Sequence, residues 1–297
     1  MKIAIIEPIG VTSDEIHSEL FNQAITECDS RNWSDEQLIN HIKDAHIVAL
    51  TNRPLSAKVI HAATELKFIA VAFAGIDHID MDAVNQRNIL VKNAAGYANT
   101  AVAELVFGLM ISLARDIPGN NQKVRQKATT NTGIELKNKT LGIVGLGAIG
   151  SEVKRLAEAF QMKTVDYGKN SQLTLENLFS QSDFITLHVP LVNATRGMVD
   201  LKLLSKMKKT AYLINCARGP IVVSSDLKQA LEQQLIAGAA LDVFDMEPPL
   251  PSDYNLFEAP NLIATPHIGF NTQEALRSKG LLTLKNIQEF LNINTRD

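Results

Sequence analysis

Three segments hold side chains that do chemistry when they meet: NCARGP at 215–220, LDVFDMEPPL at 241–250 and TPHIG at 265–269. Their reactive members are Arg218, Glu247 and His267. A guanidinium is a planar fork that grips a carboxylate through two parallel hydrogen bonds. An imidazole moves protons, and a carboxylate beside one favours its charged form and fixes its ring. Taken singly, each residue has a plain structural explanation as a turn arginine, a loop glutamate or a satisfied histidine. Each, however, follows a short apolar run, and convergence at one sheet edge is the stronger joint reading.

The segment TLGIVGLGAIG at 140–150 sets Gly145, Gly147 and Gly150 in G-x-G-x-x-G spacing, with Leu146, Ala148 and Ile149 completing the loop. The apolar run Leu141 to Val144 precedes it, and Ile149, Val153, Leu156, Ala157 and Phe160 follow on one helical face. That strand–turn–helix context is what a dinucleotide fingerprint requires. Gly145 allows the tight turn, Gly147 lets the backbone approach a pyrophosphate, and Gly150 lets helix and strand pack closely.

The next strand, KTVDYGKN at 163–170, should end on an acidic residue that accepts hydrogen bonds from the adenosine ribose. Its tip is instead Gly168, and Asp166 lies two residues back, about 6–7 Å from the tip on an extended strand. Loss of the carboxylate removes the repulsion that excludes a 2′-phosphate, and Lys169, Asn170 and Ser171 add a cation and hydrogen-bond donors. The residues favour NADP(H), while NAD(H) held through Asp166 stays open.

The elements that must position these groups are legible as apolar runs. KIAIIE, AHIVAL, FIAVAFAG and ILVKN in the first third, then TLGIVG, KTVDY, DFITLHV, AYLINC, AGAALDV and NLIATP, alternate with helical patterns. The runs lack strict polar alternation, as strands buried on both faces do, so parallel sheets with crossover helices are expected. Between the halves, Asn99 and Thr100 are expected to cap a long helix that buries Val102, Val106, Leu109, Met110 and Leu113. The polar stretch from Pro118 to Gly133 reads as a surface arm, a linker or a subunit contact, and a last helix is expected from Thr272 to about Asn292.

A chain of 297 residues accommodates two cores. With a net charge of −3 and no basic stripe, nucleic acid is not an expected partner. Cys28 and Cys216 form neither a CxxC pair nor a disulfide framework, which fits a reducing compartment and no metal. Glu7 and Pro8 interrupt the first apolar run before it reaches signal-peptide length, and Glu104 interrupts the longest one. A cytoplasmic protein with no membrane partner is expected.

These motifs, with GIDHIDMDAV at 75–84, closely resemble the D-isomer-specific 2-hydroxyacid dehydrogenases over nearly the whole chain. The glyoxylate/hydroxypyruvate reductase-like and phosphoglycerate dehydrogenase-like members come nearest, without the latter's C-terminal regulatory domain. The resemblance implies an α/β protein of two doubly wound parallel-sheet domains with a cleft between them. A flavodoxin-like substrate domain would comprise 1–95 plus 268–297, and a Rossmann nucleotide-binding domain 96–267. It implies that Arg218 binds the substrate carboxylate and carbonyl, that His267 is the acid/base, and that Glu247 is its partner. Reduction of a 2-keto acid builds negative charge on the carbonyl oxygen, which suits a proton donor there.

By the same resemblance Asp242 serves the nicotinamide carboxamide, and Pro190, Thr195, Cys216, Ala217 and Gly269 lie along the cofactor. The turn Ala74–Gly75 would offer backbone N–H groups to the substrate carboxylate. Asn93 and Tyr97 would flank the cleft, whereas His78, His188 and Arg53 are read as structural. The expected partners are a small 2-keto or D-2-hydroxy acid and a second copy in a homodimer. Two alternatives are a formate dehydrogenase-like enzyme, disfavoured because that class carries glutamine where this chain has Glu247, and a noncatalytic dinucleotide-sensing corepressor.

Overall fold

The computed structural model describes residues 1–169, 171–246, 250–252 and 254–294. Contacts divide the chain into two units, Met1–Ala98 with Thr272–Asp297, and Asn99–Asn271. Among the described residues no helix is long and apolar enough to cross a membrane.

The first unit runs β1 (Lys2–Ile5), α1 (Ser13–Glu19), β2 (Ala24–Glu27), α2 (Asp35–Ile42), β3 (Ile47–Leu50), α3 (Ala57–Ala62), β4 (Phe68–Val71), α4 (Met81–Gln86) and β5 (Leu90–Asn93). Its strands pair in parallel in the order β2-β1-β3-β4-β5, the flavodoxin-like arrangement. Thr12, Ser34, Ser56 and Asp80 each accept a backbone N–H at the start of a helix, which fixes where α1 to α4 begin. Side chains alternate between two apolar layers. Ala4, Ile69 and Val71 face α2, α3 and α4, while Ile3, Ile5, Phe68 and Ala70 face the other side. Strand β2 was not among the expected runs, because AITE at the sheet edge is largely exposed and carries little apolar signal.

The second unit begins with α5 (Asn99–Arg115) and α6 (Ile117–Arg125), then runs β6 (Thr140–Val144), α7 (Ala148–Ala159), β7 (Lys163–Tyr167), α8 (Leu175–Gln181) and β8 (Phe184–Leu187). It continues with α9 (Leu201–Leu204), β9 (Tyr212–Asn215), α10 (Ser224–Glu232), β10 (Gly238–Leu241) and β11 (Leu262–Ala264). All six expected runs are strands, paired in parallel in the order β7-β6-β8-β9-β10-β11. The dinucleotide-binding order adds a further strand outside the second one. Among the described residues β7 is the edge here.

Val106, Met110 and Leu113 of α5 pack with Val153 and Ala157 of α7 onto Leu141, Ile143, Phe184 and Ile214. Val144, Ile185, Leu187, Leu213 and Leu241 form the opposite layer with α8, α9 and α10. Each fully buried aliphatic side chain contributes about 1.5–3 kcal/mol, so these layers set the sheet's rigidity. Asn99 and Thr100 do not cap α5 but lie inside it, because a turn through Gly96 (φ +92°) feeds the chain directly into the helix. The polar segment after α5 is partly the helix α6 and then exposed coil. The final helix, α11 (Gln273–Asn294), belongs to the first unit. Thr272 Oγ1 caps it by accepting from Ala275 N at 3.1 Å, and Phe290 stacks on Phe68 at 4.6 Å.

Candidate active site

In a doubly wound sheet the crevice lies at the carboxyl ends of the strands, where the order reverses. In the second unit that point falls between β6 and β8. Gly145 follows β6 with φ +97°, and an added Cβ would lie 2.5 Å from the carbonyl oxygen of His188. Gly150 is packed so tightly that a Cβ would lie 2.1 Å from the carbonyl oxygen of Gly145. Gly147 differs. Its backbone is extended (φ −82°), it stands at the N-cap of α7, and a Cβ there would meet nothing within 4 Å.

The fold therefore explains two of the three glycines and leaves the third to a ligand. An open position beside a helix N-terminus, between Leu146 and Ala148–Ile149, fits the pyrophosphate of a dinucleotide.

At the tip of β7, Gly168 also has open space where a side chain would project. The Asp166 carboxylate is 3.5 Å from Lys154 Nζ of α7, a partner the sequence reading missed. Lys169 is exposed. Ser171 is not the free donor expected, since its hydroxyl donates to the Asp166 carbonyl at 2.8 Å and closes the turn. Asn170 lies outside the described residues.

After β8, His188 Nε2 is 2.9 Å from the Thr186 hydroxyl, and burial lowers the imidazole pKa to about 4. The folded value lies below the ordinary imidazole value of 6.5. The native state is thus favoured above pH about 6.5 and loses that advantage as pH falls through about 4. Melting curves at descending pH should show a smaller loss for His188→Gln than for the wild type, and parallel curves would remove His188 as the cause. Beyond it, Thr195 Oγ1 donates to the Pro190 carbonyl at 2.6 Å and accepts from Val192 N at 2.9 Å, so it clasps its own loop.

The three reactive segments follow the neighbouring strands β9, β10 and β11, and their loops interlock. Asn215 Nδ2 donates to the Arg218 carbonyl at 3.0 Å and Asn215 Oδ1 accepts from Ala217 N at 3.0 Å, shaping the turn. Gly219 is seated against the carbonyl of Phe244, where a Cβ would lie 1.7 Å from the oxygen. Arg218 is half-buried, and its Nη1 donates to the Ala217 carbonyl at 2.8 Å. Burial pushes the Cys216 thiol well above its ordinary pKa, which leaves it an inert filler.

Asp242, 1% exposed, accepts from Thr265 Oγ1 at 2.6 Å and Ile268 N at 2.8 Å on one oxygen, and from Gly269 N at 2.7 Å on the other. His267 N donates to the Asp242 carbonyl at 2.9 Å. His267 itself has φ +54°, the left-handed region that non-glycine residues seldom occupy, and its ring meets Phe270 edge-on at 5.4 Å. Glu247 lies outside the described residues. Nearby, Asp245 accepts from Ser224 Oγ at 2.6 Å and Tyr254 OH at 3.2 Å.

In the first unit Asn93 Nδ2 donates to the Ala74 carbonyl at 2.6 Å, bracing the Ala74–Gly75 turn after β4, and Tyr97 lies against Phe73 at 6.2 Å. Among the described residues, His78 Nε2 and Arg53 Nε are buried without a hydrogen-bond partner. Glu7, which in the sequence only interrupts the first apolar run, is 4% exposed and accepts the N–H groups of Thr51, Asn52 and Arg53 at 2.7, 2.8 and 2.8 Å on one oxygen. The backbone nest after β3 is thus filled by the chain's own carboxylate. The available signal was an acid directly after a buried apolar run.

Residues 107–269, more than half of the chain, match the family described as D-isomer specific 2-hydroxyacid dehydrogenase, NAD binding domain. The chain belongs to that family. Among D-2-hydroxyacid dehydrogenase family proteins, it is 38% identical to a glyoxylate reductase of Thermofilum pendens, over 87% of this chain and 83% of that protein. It is 34% identical to a D-3-phosphoglycerate dehydrogenase of Methanocaldococcus jannaschii over 98% of this chain, spanning only 57% of that relative. A solved structure of an acyclic imino acid reductase (Bsp5) in complex with NADPH and D-Arg superposes with a TM-score of 0.90 at 28% identity, covering 98% of this chain and 97% of that one.

Proposed function

We propose that this family member is an oxidoreductase that interconverts a small 2-keto acid and its D-2-hydroxy acid with a nicotinamide cofactor. What carries the reading is the interlocking of the loops after β9, β10 and β11 at the edge that also holds the glycine loop. Gly145 to Gly150 would hold the pyrophosphate, with Pro190, Thr195, Ala217, Asp242 and Gly269 along the rest of the dinucleotide. The chemistry a bound reduced nicotinamide supplies is a hydride for the carbonyl carbon.

The chain's own residues do the remainder. Arg218 grips the substrate carboxylate in its fork, and in the first unit the Ala74–Gly75 turn offers N–H groups to a carboxylate. His267 gives a proton to the carbonyl oxygen as charge develops there, and takes one back in the reverse direction. Glu247 orients the imidazole and favours its charged form. On this reading the first unit serves the substrate, and the enzyme acts as a cytoplasmic homodimer.

Relatives named glyoxylate reductase and glycerate dehydrogenase favour glyoxylate or glycerate as the substrate class. Oxidation of NADPH and NADH, followed by absorbance with glyoxylate, hydroxypyruvate and longer 2-keto acids, tests the reading. No turnover with any of them would favour a dinucleotide sensor.

For the cofactor, the open position at Gly168 and the neutralisation of Asp166 by Lys154 support NADP(H). Lys169→Ala should weaken NADPH about tenfold and NADH hardly at all, the loss of one cation from a phosphate. Titration of both cofactors into both proteins checks this, and equal effects would return the preference to NAD(H).

A further inference from the structure

A histidine held at φ +54° must be restrained, because a side chain with a Cβ returns to the right-handed or extended region when it is free to do so. His267 N donates to the Thr265 carbonyl at 3.0 Å, and a further part of the restraint comes from Asp242, acting with both its main chain and its side chain. The Asp242 carbonyl takes His267 N at 2.9 Å, and the Asp242 carboxylate takes the next two peptide groups, Ile268 N at 2.8 Å and Gly269 N at 2.7 Å. The carboxylate is buried, so its orientation decides whether both peptide groups are satisfied. Backbone bonds of Asp242 N to the Asn215 carbonyl and Thr265 N to the Leu241 carbonyl, both 2.9 Å, fix the main chain around it. They do not fix the carboxylate's rotation.

One side chain does. Thr265 Oγ1 donates to Asp242 Oδ1 at 2.6 Å, on the same oxygen that receives Ile268 N. We propose that Thr265 is a positioning residue: its hydroxyl sets the rotation of the Asp242 carboxylate, which holds His267 in its left-handed conformation and so aims the imidazole. Asp242 thereby has a task besides the one expected of it toward the nicotinamide. Gly269 suits this arrangement, since a Cβ there would already stand 3.0 Å from Asp242 Oδ2. The proposal rests on the acid/base role of His267 proposed above.

Without the Thr265 hydroxyl the carboxylate is free to turn, Ile268 N or Gly269 N loses its acceptor, and the peptide at His267 relaxes toward an ordinary conformation. That relaxation redirects the Cβ of His267 while leaving the glycine loop untouched. The consequence is a loss in kcat, with little change in KM or in dinucleotide affinity.

The test compares Thr265→Val, which keeps the shape and removes the hydroxyl, with Thr265→Ser, which keeps the hydroxyl. The valine variant should lose about tenfold in kcat, with KM and the NADPH and NADH dissociation constants changed by less than about twofold, and the serine variant should recover most of the loss. Amide hydrogen exchange gives a readout independent of turnover, faster at Ile268 and Gly269 in the valine variant and near wild type in the serine variant. Wild-type kcat in the valine variant, failure of serine to rescue, or unchanged exchange at those two amides would each overturn the proposal. If the wild-type protein turns over no 2-keto acid, the acid/base reading has failed instead, and exchange alone then decides whether Thr265 holds the loop. Should the valine variant not fold, Thr265→Ala against Thr265→Ser carries the same comparison.

Discussion

Alanine in place of His267 is expected to lower kcat by a factor of about 10² or more, with the dissociation constants of NADPH and NADH nearly unchanged. The magnitude follows from the task. A hydride delivered to a carbonyl carbon leaves an alkoxide unless a proton arrives, and a positioned general acid contributes about 10² to 10⁴ in rate. The separation of effects follows from the geometry. The hydrogen bonds that hold the loop run through Asp242, Thr265 and the backbone N–H groups of His267, Ile268 and Gly269, none of which is lost with the imidazole. The glycine loop lies on a different strand. Steady-state kinetics with the best 2-keto acid, set beside cofactor titration, check both halves. Unchanged turnover would remove His267 from the mechanism, and a parallel loss of cofactor affinity would mean the substitution had disturbed the loop.

Much of both sheets was legible because their central strands are buried on both faces. IVAL, FIAV and GAAL need no partner to be recognised, since four consecutive buried apolar residues read alike in sequence and in structure. Strand β2 escaped because an exposed edge strand has no such pattern. Reactive residues with a distinctive chemistry stood out, but the groups that hold them did not. Thr265 and Lys154 are ordinary residues whose importance comes from what they touch, Asp242 and Asp166, and contacts between elements are invisible along the chain. Ser171 illustrates the converse error. A hydroxyl next to an expected phosphate site looks like a donor for it, yet in a tight turn the nearest carbonyl claims it first. The positive φ at His267 was not read from the sequence, because bonds that hold its loop come from Asp242, which follows a different strand.

The glycine loop yields the other large effect, and it separates fold from ligand. Three glycines in one motif are usually explained together, but here the surroundings of each make different demands. Gly150→Ala would drive a methyl into the Gly145 carbonyl, 2.1 Å away, and that contact is backbone, not the end of a flexible side chain. A loss of about 3 kcal/mol or more is expected, lowering the melting temperature of the second unit by about 10 °C. Gly147→Ala has an extended backbone and open space, so the free protein should melt as the wild type does. The added methyl instead occupies the surface where the backbone would approach the pyrophosphate, and NADPH and NADH should both bind at least about tenfold more weakly. Thermal melts of the free proteins and cofactor titration of each variant distinguish the two. If Gly147→Ala binds both dinucleotides as tightly as the wild type, the glycine is only a turn residue, and the pyrophosphate does not rest on the N-terminus of α7.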